Sequence, residues 1–179
     1  LSEMPYKIFS SFVFFKDALD AWSFAAEARR SSALSIEYFD ANALKLLKAG
    51  ESNVPLDAQG AIFFEQELTE DDETSTINRW LKVIAKHNAS LDDTWAAMTM
   101  EKCEKFNQFR YSIPESINDI VRRTGMSRLS TDIAVPEDKF LEMMNFYVDT
   151  LTVCGIEHVI FGHIGECHLH VNLLPKNEI

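Results

Sequence analysis

Polar and apolar residues change period repeatedly along the chain, and each change marks an element. KIFSSFVFF at 7–15 is rich in aromatic and β-branched types and predicts a strand. Asp17 then introduces a helix in which Ala18, Trp22, Ala25 and Ala26 recur on one face. SALSIEYFD at 32–40 predicts a second strand, ANALKLLK a short helix ended by Gly50, ESNVPLDAQ at 51–59 a loop, and GAIFFEQEL at 60–68 a third strand. Beyond the acidic turn TEDDETS, Ile77, Trp80, Leu81 and Ile84 follow the i, i+3, i+4, i+7 spacing of an amphipathic helix. Residues 91–130 predict helix, break and helix, with Pro114 interrupting. STDIAVP at 130–136 reads as a strand stopped by Pro136. Phe140, Met144, Tyr147, Val148 and Leu151 then form the stripe of a helix ended by Gly155.

The last strongly patterned stretch is FGHIGECHLHVNLLP at 161–175, two short strands joined by a tight turn. Strand side chains alternate, so His168, His170 and Asn172 share one side while Leu169, Val171 and Leu173 share the other. With Glu166 and Cys167 as a two-residue turn, His163 is expected opposite His170, Cβ atoms roughly 4.5–5.5 Å apart, a spacing suited to two imidazoles on one divalent metal. The competing reading is a solvated strand face with backbone-bonded histidines. Two histidines also leave a site short of ligands, so a carboxylate or third histidine has to come from elsewhere.

Together these elements predict one α+β domain with a mainly antiparallel sheet, helices on one face and the other face lined by Glu37, Glu65, Asp132 and His170. The length of 179 residues and hydrophobic content of 46% suit one core or one domain of something larger. A net charge of −11 argues against nucleic acid as partner. Nothing in the sequence reads as a secretory leader or a transmembrane span, and the sparse, irregular Cys103, Cys154 and Cys167 fit a reducing cytoplasm. Cys167 is taken as an incidental turn residue. Gly-rich nucleotide loops and a GxSxG elbow are absent from the sequence.

FGHIGECHLHVNLLP resembles the GHxGDGNLHxN motif of the C-terminal domain of FAD-linked oxidases, the group containing D-lactate dehydrogenase, the glycolate oxidase flavoprotein subunit and D-2-hydroxyglutarate dehydrogenase. Four further stretches match in order: LSIEYFDANAL at 34–44, AIFFEQEL at 61–68, FRYSIPESIN at 109–118 and RLSTDIAVPEDKF at 128–140. The resemblance implies a ferredoxin-like cap over the ring of an FAD held by a separate N-terminal domain. It makes residues 1–179 a fragment lacking that domain and the family's C-terminal end.

The resemblance further implies that the parent oxidises a D-2-hydroxy acid, lactate- or glycolate-like, to the 2-keto acid by hydride transfer to flavin. His163 and His170 would be ligands of a divalent metal, zinc or manganese; the third ligand and the catalytic base would lie beyond Ile179. Arg110 would clamp the substrate carboxylate and Asn172 would contact substrate, with Arg128 in place of the family's lysine. The family's Asp-Gly-Asn is Glu166-Cys167-His168 here, which leaves Glu166 and His168 as accessory candidates. On this account the isolated fragment is inactive, and the parent also meets an electron-acceptor protein. The alternative is a stand-alone metal- or small-ligand-binding module without flavin, which should complete its ligand set within the chain, for example with Glu37, Glu65 or Asp132.

Overall fold

The computed structural model describes residues 7–48, 53–125, 127 and 129–174. Seven strands form one antiparallel sheet: β1 Lys7–Phe15, β2 Ser35–Asp40, β3 Gly60–Leu68, β4 Trp95–Ala97, β5 Leu129–Ala134, β6 His158–Gly162 and β7 His168–Leu173. Their order is β4-β1-β3-β2-β6-β7-β5. Five helices accompany them: α1 Ala18–Arg30, α2 Ala41–Lys48, α3 Glu73–Lys86, α4 Met100–Thr124 and α5 Phe140–Cys154. The α+β class and the antiparallel sheet follow the hydrophobic pattern. Asp17 caps α1 by accepting the Leu19 N–H at 2.8 Å, and Gly155 closes α5 in the left-handed conformation at φ 61°.

The helices are distributed differently from the expectation of one covered face. Alternation along β1, β2 and β3 sends Val13, Phe15, Tyr38, Ile62 and Phe64 to one side, where Trp22, Phe24, Trp80, Phe140 and Met144 of α1, α3 and α5 cover them. Phe12, Phe14, Phe39, Ala61 and Phe63 point to the other side and meet Leu44 and Leu47 of α2 and Ile113 and Ile117 of α4. Phe12–Phe15 and Ala61–Phe64 are apolar at every position, and such double-sided runs require cover on both faces. The uncovered part of the second face is confined to the β2, β6, β7, β5 end, where the polar residues lie.

Two local features also depart from the sequence pattern. Helix α4 runs without interruption through Pro114. The proline lacks the N–H that would bond the carbonyl of Arg110, a defect of about 3 kcal/mol, offset by complete burial of Ile113 and Ile117 beside it. Strand β4, three residues pairing Ala97, Ala96 and Trp95 with Ser10, Ser11 and Phe12, carries too little sequence to show alternation. Gly50 and Arg128 lie outside the described residues.

Asp40 closes β2 and accepts the Ala43 N–H at 2.7 Å, holding the first turn of α2. Burial pushes its carboxyl up to about 6 from 3.8, against the lowering effect of backbone N–H groups and of His158. The folded state therefore keeps a proton that the unfolded chain releases. Asp40's favourable contribution is complete below about pH 4 and is lost as pH rises through 6, at most about 3 kcal/mol in all. Urea midpoints of the protein and of Asp40→Asn should converge or cross between pH 4 and 7, the wild type losing ground as pH rises. Parallel curves would show that the carboxyl titrates normally.

Candidate functional site

Strand β7 sets His168 and His170 two residues apart on the partly uncovered face, and the β5 register puts Asp132 opposite His170 and Ala134 opposite His168. His168 Nε2 makes a short hydrogen bond with Asp132 Oδ1, and His170 Nδ1 lies 3.1 Å from the same oxygen. One donor atom from each of Asp132, His168 and His170 falls within 4.8 Å of the others. Burial is the main effect holding the His170 imidazole below its usual pKa, with the neighbouring His168 and His163 acting in the same direction against the raising field of Asp132. The His168 hydrogen bond in turn holds the Asp132 carboxyl below the ordinary carboxylate range.

His163 reaches the cluster by another route. The expected pairing of His163 with His170 is not formed, because His163 leaves the ladder and Phe161 stands opposite His170. A 3-10 turn at Ile164–Glu166 and Cys167 in the left-handed region at φ 53° lengthen the connection beyond the two-residue turn expected. The three rings nevertheless converge, with centroids 5.7 Å apart for His163–His168 and His163–His170 and 5.0 Å for His168–His170. Gly162 permits the approach: its φ is 137°, and a Cβ there would lie 2.9 Å from His170 Cδ2.

His163 Nδ1 is 2.7 Å from Glu37 Oε1, and Arg110 Nη1 donates to the same oxygen at 3.3 Å. Glu37 is 7% exposed and the Arg110 side chain 18%, so one nearly buried carboxylate joins β2, α4 and the histidine turn. Arg110 Nη2 donates to the Tyr111 hydroxyl at 2.7 Å, and the guanidinium lies over the Phe63 and Tyr111 rings. Two clefts share Glu37 and His163. One, of about 190 Å³, is lined by Arg110, Tyr111, Phe161 and His170; the other, of about 390 Å³, by Arg29, Ser35, Ile36 and Glu166.

The site thus unites Arg110, His163, His168 and His170 as residues of one end of the sheet. Glu166 is exposed, lines the wider cleft and stands outside the Asp132–His168–His170 set. Asn172 is on the same face and fully buried, between Val159 and Ser130. Glu65 shares the face but is held by the Ser10 and Ser35 hydroxyls at 3.2 Å each. The partnership of Glu37 with Arg110 and His163 spans 73 and 126 residues, so only its place on the shared face was readable beforehand. Cys167 is a turn residue, as expected, and it is also packed. It is buried, Arg29 Nη1 donates to its Sγ at 3.0 Å and to the Ile164 carbonyl at 2.7 Å, and burial raises the thiol's pKa.

Two imidazoles and a carboxylate make a donor set chemically suited to a divalent ion such as zinc. FAD is different. The sequence has no Gly-rich phosphate loop of the GxGxxG kind. No helix among the described residues is long and apolar enough to cross a membrane.

Solved structures share this fold at low sequence identity. Alkyldihydroxyacetonephosphate synthase, in a P1 crystal, is similar with a TM-score of 0.71 and 14% identity over 99% of this chain and 38% of its own. The 4-ethylphenol oxidase from Gulosibacter chungangensis, in its isoeugenol complex, has a TM-score of 0.51 and 10% identity over 98% of this chain and 40% of its own. The chain therefore spans about two-fifths of the length of these neighbours. No curated protein matches it. A family model described as FAD linked oxidases, C-terminal domain, matches residues 5–178, and the chain belongs to that family.

Proposed function

We propose that this chain is the substrate-side domain of an FAD-dependent oxidoreductase that converts a small D-2-hydroxy acid, lactate- or glycolate-like, to the 2-keto acid. The carrying observation is the convergence of Arg110, His163 and His170 at one cleft, with Glu37 bonded to the first two. The neighbours' names include both a synthase and a phenol oxidase, so the substrate class rests on these side chains and not on the shared fold.

In this reading Arg110 holds the substrate carboxylate. Two of its nitrogens are engaged by Glu37 and Tyr111, and a guanidinium with five N–H donors retains others for a carboxylate. Glu37 keeps the His163 Nδ1 side occupied, which turns the Nε2 side to the substrate hydroxyl as acceptor. A divalent ion held at the histidine cluster, with His170 among its ligands, would lower the pKa of that hydroxyl. Flavin, held mainly by an N-terminal domain, supplies the two-electron acceptor. The site's remaining task is positioning and exclusion of water when that domain covers the open end of the sheet.

The test uses the full-length protein with its flavin domain. Anaerobic addition of a panel of D-2-hydroxy acids should bleach the flavin with one or a few of them, and Arg110→Met should lose that bleaching at substrate levels that saturate the wild type. A flavoprotein bleached by none of the acids, or a full-length protein without flavin, overturns the reading. The latter result would favour a metal-binding module, a reading supported by the ligand set that the chain completes from Asp132, His168 and His170.

A further inference from the structure

We infer that Tyr111 positions Arg110 and sets specificity in their shared cleft, which selects 2-hydroxy acids with an apolar substituent, lactate and its longer homologues, over glycolate and over acids with a second carboxylate. The inference rests on the function proposed above and narrows its substrate.

Two roles converge on Tyr111, and the first is its hold on the guanidinium. Arg110 and Tyr111 are consecutive in α4, and consecutive helix residues do not ordinarily face each other. Here both line the cleft and touch: Arg110 Nη2 donates to the Tyr111 hydroxyl at 2.7 Å, and the guanidinium carbon lies 4.6 Å from the Tyr111 ring centroid. Glu37, accepting from Nη1 at 3.3 Å, and the Phe63 ring, at 5.6 Å, hold the same group from the sheet. A cation fixed by a carboxylate, a hydroxyl and two rings offers its remaining N–H donors in one orientation. Of these contacts, Tyr111 supplies the one to Nη2.

The second role is that of a wall. Beside Arg110 the cleft of about 190 Å³ is bounded by Phe39, Tyr111, Pro114 and Phe161. Among the described residues lining it, Arg110 is the only Lys or Arg and Glu37 the only carboxylate. A substrate carboxylate held by Arg110 therefore leaves the substituent beside its hydroxyl against rings and a proline. One methylene more or less in such a pocket changes catalytic efficiency by about 10–200-fold. A second carboxylate would meet the rings and Glu37 with no cation of its own, a costly burial. The volume corresponds to about six water-sized groups at about 30 Å³ each, which suits a molecule of lactate's size and leaves glycolate loosely held. The resemblance at FRYSIPESIN points to Arg110 and gives Tyr111 no role.

The test uses the full-length protein with its flavin domain and measures turnover of glycolate, D-lactate, D-2-hydroxybutyrate and D-malate. Catalytic efficiency should rise at least about tenfold from glycolate to lactate, the effect of one methylene, hold or rise at 2-hydroxybutyrate, and fall at least about a hundredfold for malate, whose second carboxylate is left unpaired. Tyr111→Phe, which keeps the ring, should raise KM for lactate about tenfold, the effect of one hydrogen bond to a charged group, with kcat changed by less than about twofold. Tyr111→Ala should also erase the preference for lactate over glycolate. Tyr111 is 57% exposed, so neither variant should shift the urea midpoint appreciably, whereas a role in folding alone would shift it and leave KM in place. Malate turned over better than lactate, or an unchanged KM in Tyr111→Phe, overturns the inference and leaves the proposed reaction standing. If no acid is turned over, calorimetry with 2-ketobutyrate decides. Binding weakened about tenfold by Tyr111→Phe supports the cleft while the reaction falls; equal binding, or none by the wild type, overturns both.

Discussion

Replacing Phe12 with alanine is expected to lower the unfolding free energy by about 3–5 kcal/mol. Phe12 has no exposed surface and sits in β1 between β3 and β4. Phe14, Phe39, Phe63, Trp95, Phe106 and Phe109 surround it with ring centroids 4.9–6.3 Å away, several of them edge to face. Truncation removes the transfer free energy of a phenyl ring and leaves a cavity bounded by strands that cannot close on it. The effect should extend to the site, because Phe106 and Phe109 fasten α4 to the sheet immediately before Arg110. Denaturant titration should show a shifted midpoint with an unchanged slope, and Phe12→Leu should recover most of the loss. A cost below about 1 kcal/mol, the level of a volume-conserving exchange, would mean that this side of the sheet is not a packed core.

The second large effect is expected at Glu37. Its removal as Glu37→Ala leaves Arg110 and His163 without their shared acceptor. Breaking a fully buried pair costs about 3–5 kcal/mol, and the partial exposure of Arg110 brings the expected loss to about 2–3 kcal/mol. Glu37→Gln retains an acceptor oxygen and the side-chain volume, so its cost should be smaller. A double-mutant cycle joining Glu37→Gln to Arg110→Met isolates the coupling, which should be about 1–3 kcal/mol, as for charged neighbours in one network. Additive effects would show that the 3.3 Å contact contributes nothing to folding.

Much of the fold can be read along the chain because it rests on local periods. β1 and β3 have the bounds that their apolar runs predict, α2 spans ANALKLLK, and Gly155 ends α5. The shared face of Glu37, Glu65, Asp132 and His170 follows from alternation once the strands pair. What alternation could not supply was register. The exchange of His163 for Phe161 opposite His170 depends on a 3-10 turn whose non-glycine left-handed residue, Cys167, gives no sign of itself in the sequence. Pro114 misled for a related reason: local propensity argues for a break, and packing of Ile113 and Ile117 overrides it. Cover on both faces had a readable signal in the uninterrupted apolar runs of β1 and β3. Within the site, the motif named the histidines, but their division between Glu37 and Asp132 is a property of tertiary structure.

The strand order places β5 at the rim of the sheet, paired with β7 and exposed along nearly all its length. A rim strand is the part of a sheet most free to fray, and its amides are those expected to exchange with solvent through small, local openings. Each opening of β5 carries Asp132 away from both imidazoles while β1, β3 and β2 stay paired. Were an ion held between Asp132 and the imidazoles, its capture and the docking of the strand would be one equilibrium. At a free concentration one hundred times its dissociation constant, the ion would add about 2.7 kcal/mol to holding β5 in place. Slowed amide exchange along that single strand would then report occupancy of the site without any catalytic assay.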